Sequence, residues 1–147
     1  MYIAVQQGFQ DIAELLMNDP RLVCHQAAND ASTPLYIACQ KGFYDLVQLL
    51  IERAPEMINQ AEKDNCSPLW IASQNGHLKV VELLLASEVV VDTLARTIPG
   101  INIWNGRTAV EKAREKNFAD IVEVVERYQQ HAGRVRRQLR LKHGLAG

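Results

Sequence analysis

The sequence predicts an all-α fold, a solenoid of stacked helix–turn–helix pairs. Three observations carry this reading: a self-match at an offset of 34 residues, a hydroxyl residue followed by proline opening successive copies, and glycines at the same interval. At 147 residues the chain is long enough for one domain with a real interior. A composition of 48% apolar and 22% charged residues is that of an ordinary globular protein, and no apolar run is long enough to span a bilayer.

The self-match places residues 35–51 (LYIACQKGFYDLVQLLI) on 69–85 (LWIASQNGHLKVVELLL), with eight of the seventeen positions identical. The same shift backwards lays IAVQQGFQDIAELL under IACQKGFYDLVQLL and puts Gly8 under Gly42. A fourth copy, TAVEKAREKNFADIVEVV at 108–125, aligns with Asn117 in the glycine position, seven residues late. The expected organisation is a repeat domain over 1–130, with copies at about 1–27, 28–61, 62–95 and 103–130, and a basic C-terminal tail over 131–147.

Each copy reads as two short helices. Thr33-Pro34 and Ser67-Pro68 are an N-cap residue followed by proline at the first helical position, where its missing amide costs nothing. The first helix stops at Gly42 or Gly76, or at Asn117 in the last copy, because these residues tolerate the left-handed conformation that ends such helices. The second helix carries leucine and valine pairs, with Asp11, Asp45 or Asp120 in its first turn, where a carboxylate suits the helix dipole. Ala4, Ala38, Ala72 and Ala113 recur at one position, as required where two helices approach closely. Helices this short are unstable alone, so stability must come from stacking; Leu49, Leu50, Leu83 and Leu84 are the expected buried residues.

The pattern T-P-L-x-x-A, then glycine, then V-V-x-L-L-L resembles the ankyrin repeat, most completely from Ser67 to Leu85, and the resemblance covers residues 1 to about 127. The histidine usual after T-P-L is replaced by Tyr2, Tyr36, Trp70 and Glu111. The fourth copy replaces the proline by Ala109 and carries Glu111, Lys112, Arg114, Glu115 and Lys116, a polarity expected of a terminal copy facing water. The first copy starts at Met1, where the leucine of T-P-L belongs; a longer array cut at this point is expected, with a natural start as the competing alternative.

The resemblance implies a protein–protein interaction module, a scaffold or adaptor that binds a protein partner through a concave surface of turn tips and first helices. In this sequence that surface maps to Asn29, Asp30, Ser32, Gln40 and Lys41, then Lys63, Asp64, Cys66, Gln74 and Asn75, then Asn105 and Arg107. Gln6, Gln7, Glu115 and Lys116 extend it. The rival reading is a recognition or regulatory segment of a larger enzyme or effector. Tyr36 and Trp70 are expected to pack between repeats. A monomer is expected, with no small-molecule substrate.

No G-x-S-x-G, phosphate-binding glycine loop or H-E-x-x-H occurs, so no enzyme, cofactor or metal site is expected. Cys24, Cys39 and Cys66 form an odd set without metal-ligand spacing, which suits reduced thiols in an intracellular, cytoplasmic or nuclear setting. His77 follows its glycine, where ankyrin repeats usually place a structural histidine. Seventeen acids against eleven Lys and Arg give residues 1–130 a net charge of −6, whereas Arg134, Arg136, Arg137, Arg140 and Lys142 give the tail +5. Three readings of the tail stay open: packing on the last repeat, a linker, or an anion-binding element for nucleic acid or membrane, which the acidic body opposes. Segment 88–106, with Ile98, Pro99, Ile101, Ile103 and Trp104, is either an elongated turn packed on copies three and four or a protruding finger.

Overall fold

The computed structural model describes residues 32–62, 64–99 and 106–145. The first copy, Lys63 and the apolar residues Ile101, Ile103 and Trp104 lie outside these. Copies two to four are each a helix pair: α1 (Pro34–Lys41) with α2 (Tyr44–Arg53), α3 (Pro68–Gln74) with α4 (Leu78–Ala86), and α5 (Ala109–Glu115) with α6 (Ala119–Lys142). There is no strand among the described residues.

The capping residues do what their chemistry predicts. Thr33 and Ser67 hold extended backbone, and their hydroxyl oxygens accept from the amides of Tyr36 and Trp70, each at 3.1 Å. The fourth copy lacks the proline and compensates with a reciprocal cap. Thr108 Oγ1 accepts from the Glu111 amide at 3.2 Å, while Glu111 Oε2 accepts from the Thr108 amide at 2.8 Å. Glu111 is therefore the residue that starts α5 without Pro.

At the other end of each first helix, Gly42 (φ 73°), Gly76 (φ 74°) and Asn117 (φ 64°) are left-handed. Gly42 and Gly76 answer a second demand as well. A Cβ on Gly42 would lie 2.7 Å from the His77 ring, and one on Gly76 would lie 2.7 Å from the Phe118 ring. Each copy thus seats an aromatic ring over the glycine of the copy before it. Asn117 is exposed, so a side chain fits there.

The first helices α1, α3 and α5 pack side by side, and α2, α4 and α6 form a parallel second layer. Ala38, Ala72 and Ala113 are fully buried between the layers with Leu35, Leu50, Leu84 and Val125. Tyr36 and Trp70 are also interior, at 5% and 1% exposure. A 3-10 turn at Pro55–Asn59, which the sequence pattern did not announce, adds Met57 and Ile58 to the core.

One burial expectation needs correcting. Leu50, Leu83 and Leu84 are buried, but Leu49 is only half-buried. Leu49 and Leu83 are equivalent positions on the outer side of the second helix. At Leu83 the end of the chain returns across the helix, so that Arg140 and Leu145 line the same depression as Leu83. The water-facing polarity expected of α5 also holds only in part. Arg114, Glu115 and Lys116 are exposed, but Lys112 is buried, with its ammonium 6.0 Å from the Trp70 ring centre and 3.0 Å from Glu115 Oε1.

Helix α6 turns back on itself at His131, whose φ of −141° and ψ of 52° interrupt the helix. A straight helix would separate Asp120 from Lys142 by ~33 Å, yet the two line one depression. The residues after His131 form an arm running back along α4. Val135 and Leu139 are buried beneath it.

Candidate functional site

The residues mapped onto the interaction surface separate into three groups. Asn29, Asp30, Lys63 and Asn105, with Gln6 and Gln7, lie outside the described residues. Ser32 and Cys66 are interior, at 2% and 0% exposure, and neither belongs to a contact surface. The reason is shared: both stand one residue before a cap, Thr33 or Ser67, and that position turns into the stack. Burial, reinforced by Glu62, pushes the Cys66 thiol well up, and its sulfur lies 3.9 Å from the Asp64 carbonyl.

The remaining residues, Gln40, Lys41, Asp64, Gln74, Asn75 and Arg107, are exposed or half-exposed. Helix termination explains the placement of the first-helix members: each pair sits at the end of its first helix, next to the left-handed Gly42 or Gly76. They are not all uncommitted. Asn75 Nδ2 donates to the Gln40 carbonyl at 3.2 Å, tying copy three to copy two. The same carbonyl accepts from His77 Nε2 at 3.1 Å, which fixes the proton on that nitrogen. Gln74 Oε1 is buried without a hydrogen-bond partner among the described residues. Lys41 and Arg107 are exposed, as are Glu115 and Lys116 of the last copy.

The turn between copies three and four is clamped rather than free over its described part. The Thr97 amide donates to the Arg107 carbonyl at 3.2 Å, and the Ile98 amide donates to the Asp64 carbonyl at 3.1 Å. Arg96 Nη1 lies 2.9 Å from both the Gly106 carbonyl and Glu111 Oε2, and Nη2 lies 3.2 Å from Glu111 Oε1. Together with the cap at Thr108, this arginine holds the Glu111 carboxyl below its ordinary range; the Thr108 amide is the larger cause. Trp70 Nε1 donates to the Arg107 carbonyl at 3.0 Å, so the indole ties α3 to the residues that lead into α5. Asn59 fixes the start of the segment through the Val90 carbonyl and the Asp92 amide.

A side-chain cluster that sequence reasoning missed joins α2, α4 and the arm. Glu82, its side chain 7% exposed, receives Lys142 Nζ at 2.6 Å and His143 Nε2 at 3.0 Å. His143 Nδ1 is 2.8 Å from the Tyr44 hydroxyl. The contacts span 60 to 99 residues of sequence, so no local spacing announces them. The Thr108–Glu111 cap, in contrast, is legible as T-x-x-E. Burial, then Asp45 and Glu82, push the Tyr44 phenol up. The cluster ties the arm to both α2 and α4.

No helix among the described residues is long and apolar enough to cross a membrane. None of the curated proteins compared with the chain matches it. The model of ankyrin repeats, three copies, matches residues 1–97, the span that holds the first three copies of the 34-residue period. Ankyrin repeats are generally protein-interaction modules and are typically not catalytic. With that match over most of its length, and the same helix pair repeated once more at α5 and α6, the chain belongs to the ankyrin-repeat family.

Proposed function

We propose that this chain binds a protein partner through the strip formed by the ends of its first helices and the turns beside them. The observation that carries this reading is the exposure of Lys41, Asn75 and Arg107, with Glu115 and Lys116, on successive copies whose leucines and alanines are committed to the stack. Because the copies repeat without closing on themselves, such positions line up as one continuous surface. Asn75 and His77 brace the Gln40 carbonyl, so the strip is held between copies rather than by each copy alone. The bracing pre-organises the backbone of the strip, while each long side chain that becomes fixed on binding costs ~0.5–1.5 kcal/mol.

The test is a capture experiment with the full chain, comparing the natural sequence with the pair Lys41→Glu and Asp64→Lys. Lys41 is exposed, and Asp64 uses only its backbone carbonyl to hold Ile98, so the thermal stability should change by no more than about 0.5 kcal/mol. Capture should be lost. If capture survives that pair but disappears with Arg134→Glu and Arg137→Glu on the exposed side of the arm, the arm is the binding element.

A further inference from the structure

We infer that the C-terminal arm can be exchanged between two copies of this chain, giving a dimer in which each arm lies on α4 of the other copy. The inference starts from the turn at His131. It is a single residue between two helical stretches, it is exposed, and nothing lies within 4 Å of where a Cβ on neighbouring Gly133 would point. The sequence contains no proline between residues 119 and 142 to stop the helix. Gly133 is a weak helix former, but it is accommodated in the helix after the turn. Gly133 eases the break by only ~1 kcal/mol, and the contacts of the arm hold the turn. Rotation at this one residue would leave a continuous helix of 24 residues, ~36 Å long.

The arm's contacts can all be remade in trans. Lys142 and His143 meet Glu82 on α4, and His143 meets Tyr44 on α2. Arg140 reaches the Ala86 carbonyl at 3.3 Å and lies 3.6 Å from Glu88. Arg136 meets the Tyr128 hydroxyl at 2.9 Å, and Arg127 meets Gln138 at 3.1 Å, across the two halves of α6. In every pair one member precedes His131 and the other follows it. An exchanged arm from a second copy would supply the same Val135 and Leu139 to the same apolar bed, and the same cations to Glu82 and Glu88. The closed and exchanged forms thus differ at the turn and in the entropy of association, which is the condition under which exchange is a low-cost route to a dimer. A short connection keeps the arm at an effective concentration of about millimolar, so the closed form dominates in dilute solution. A turn of one residue is also the kind that straightening relieves and that lengthening would favour closed.

The experiment uses the full chain carrying Arg127→Cys and Gln138→Cys, an exposed pair on the two halves of α6, treated with a short bismaleimide. Cys39 and Cys66 are buried, and Cys24 is replaced (Cys24→Ser), so that a reagent added after refolding meets only the introduced pair. Light and 15N-labelled chains are mixed, unfolded in urea, refolded together near 1 mM, and separated by size with light scattering. In the exchanged dimer the crosslink joins residue 127 of one chain to residue 138 of the other, and mass spectrometry finds light–heavy crosslinked peptides. At about 10 μM, far below an effective concentration of about 1 mM, adding His131→Ala should raise the dimer fraction at least 10-fold, and inserting three glycines after His131 should return the chain to monomer. The circular dichroism of each variant is recorded, and should the cysteine pair lower the helix content, a pair at Glu123 and Gln138, which line one depression, replaces it. Absence of dimer from the His131→Ala chain at 1 mM, or a dimer whose crosslinks lie only within one chain, overturns the inference. Loss of partner capture bears only on the first-helix strip, and the two proposals fail independently.

Discussion

Replacing Gly76 by alanine should destabilise the protein by ~2–4 kcal/mol, and the loss should divide into two separable parts. The first is conformational. At φ 74° an alanine is in the left-handed region, at a cost of ~1–2 kcal/mol, since the added methyl crowds its own backbone. The second is steric. The new Cβ would be 2.7 Å from Phe118 Cζ and 2.8 Å from Cε1, inside contact distance, so the ring must leave its seat between copies three and four. Forcing a packed ring aside costs ~1–3 kcal/mol. The lower conformational freedom of alanine in the unfolded chain returns ~0.4–1 kcal/mol. Urea unfolding of four chains (natural, Gly76→Ala, Phe118→Ala and the double variant) isolates the steric part. With the ring gone, Gly76→Ala should cost only about 1 kcal/mol, and the coupling between the two sites should be ~1–3 kcal/mol. Asn117→Gly provides the control: the same left-handed geometry without a ring above it should change stability by only a few tenths of a kcal/mol. A Gly76→Ala loss below 0.5 kcal/mol, or one unchanged by removal of the ring, would refute the idea that each copy is seated on the glycine of the one before (thresholds are about one experimental error).

Three further outcomes can be checked on the same preparations. Leu83→Ala should cost ~2–5 kcal/mol in chemical denaturation, while Leu49→Ala at the equivalent half-buried position should cost about half as much; equal losses would show that the returning arm does not cover Leu83. Glu111 has a folded pKa below its ordinary 4.5, so its contribution is complete above that value and is lost as pH falls through the lowered folded value. Glu111→Gln should accordingly be less sensitive to acid than the natural chain as the pH falls below 4.5, and parallel stability curves there would remove the cap from the account. The thiols of Cys39 and Cys66 should resist alkylation at pH 8 until the protein unfolds, because burial pushes both well up; fast labelling of Cys66 in the native state would mean that the turn before Ser67 opens.

How much of this was legible in the sequence depends on the range of each interaction. Helix caps are local, and Thr33, Ser67, Gly42, Gly76 and Asn117 all take the roles their residue types predict. The replacement of proline by Ala109 was visible, and so was Glu111, but only their combination explains the start of α5, as a reciprocal cap. Contact-surface residues were read less well, because register along a repeat does not say which way a side chain turns at the residue before a cap. Ser32 and Cys66 fall inside for that reason, while Lys41 and Arg107 remain outside. Leu49 was misjudged because its burial would depend on a segment ninety residues away that crosses only its counterpart.

The arm shows what the charge asymmetry of the chain accomplishes. A body of net charge −6 and a tail of +5 would attract each other in any arrangement, but long-range attraction alone is screened within about 10 Å at ordinary ionic strength. What fixes the tail is the meeting of Lys142 and His143 on one nearly buried carboxylate, beside Val135 and Leu139 on an apolar bed. Of the five tail cations, Arg136, Arg140 and Lys142 are engaged with the repeats or with the first half of α6, and Arg134 and Arg137 are exposed. A tail built to bind phosphates would reserve its cations for the ligand; this one spends most of them on its own body. Glu82 of α4 and Glu88 just beyond it are therefore half of an internal interface. The proposed first-helix strip lies on the opposite layer, away from this interface.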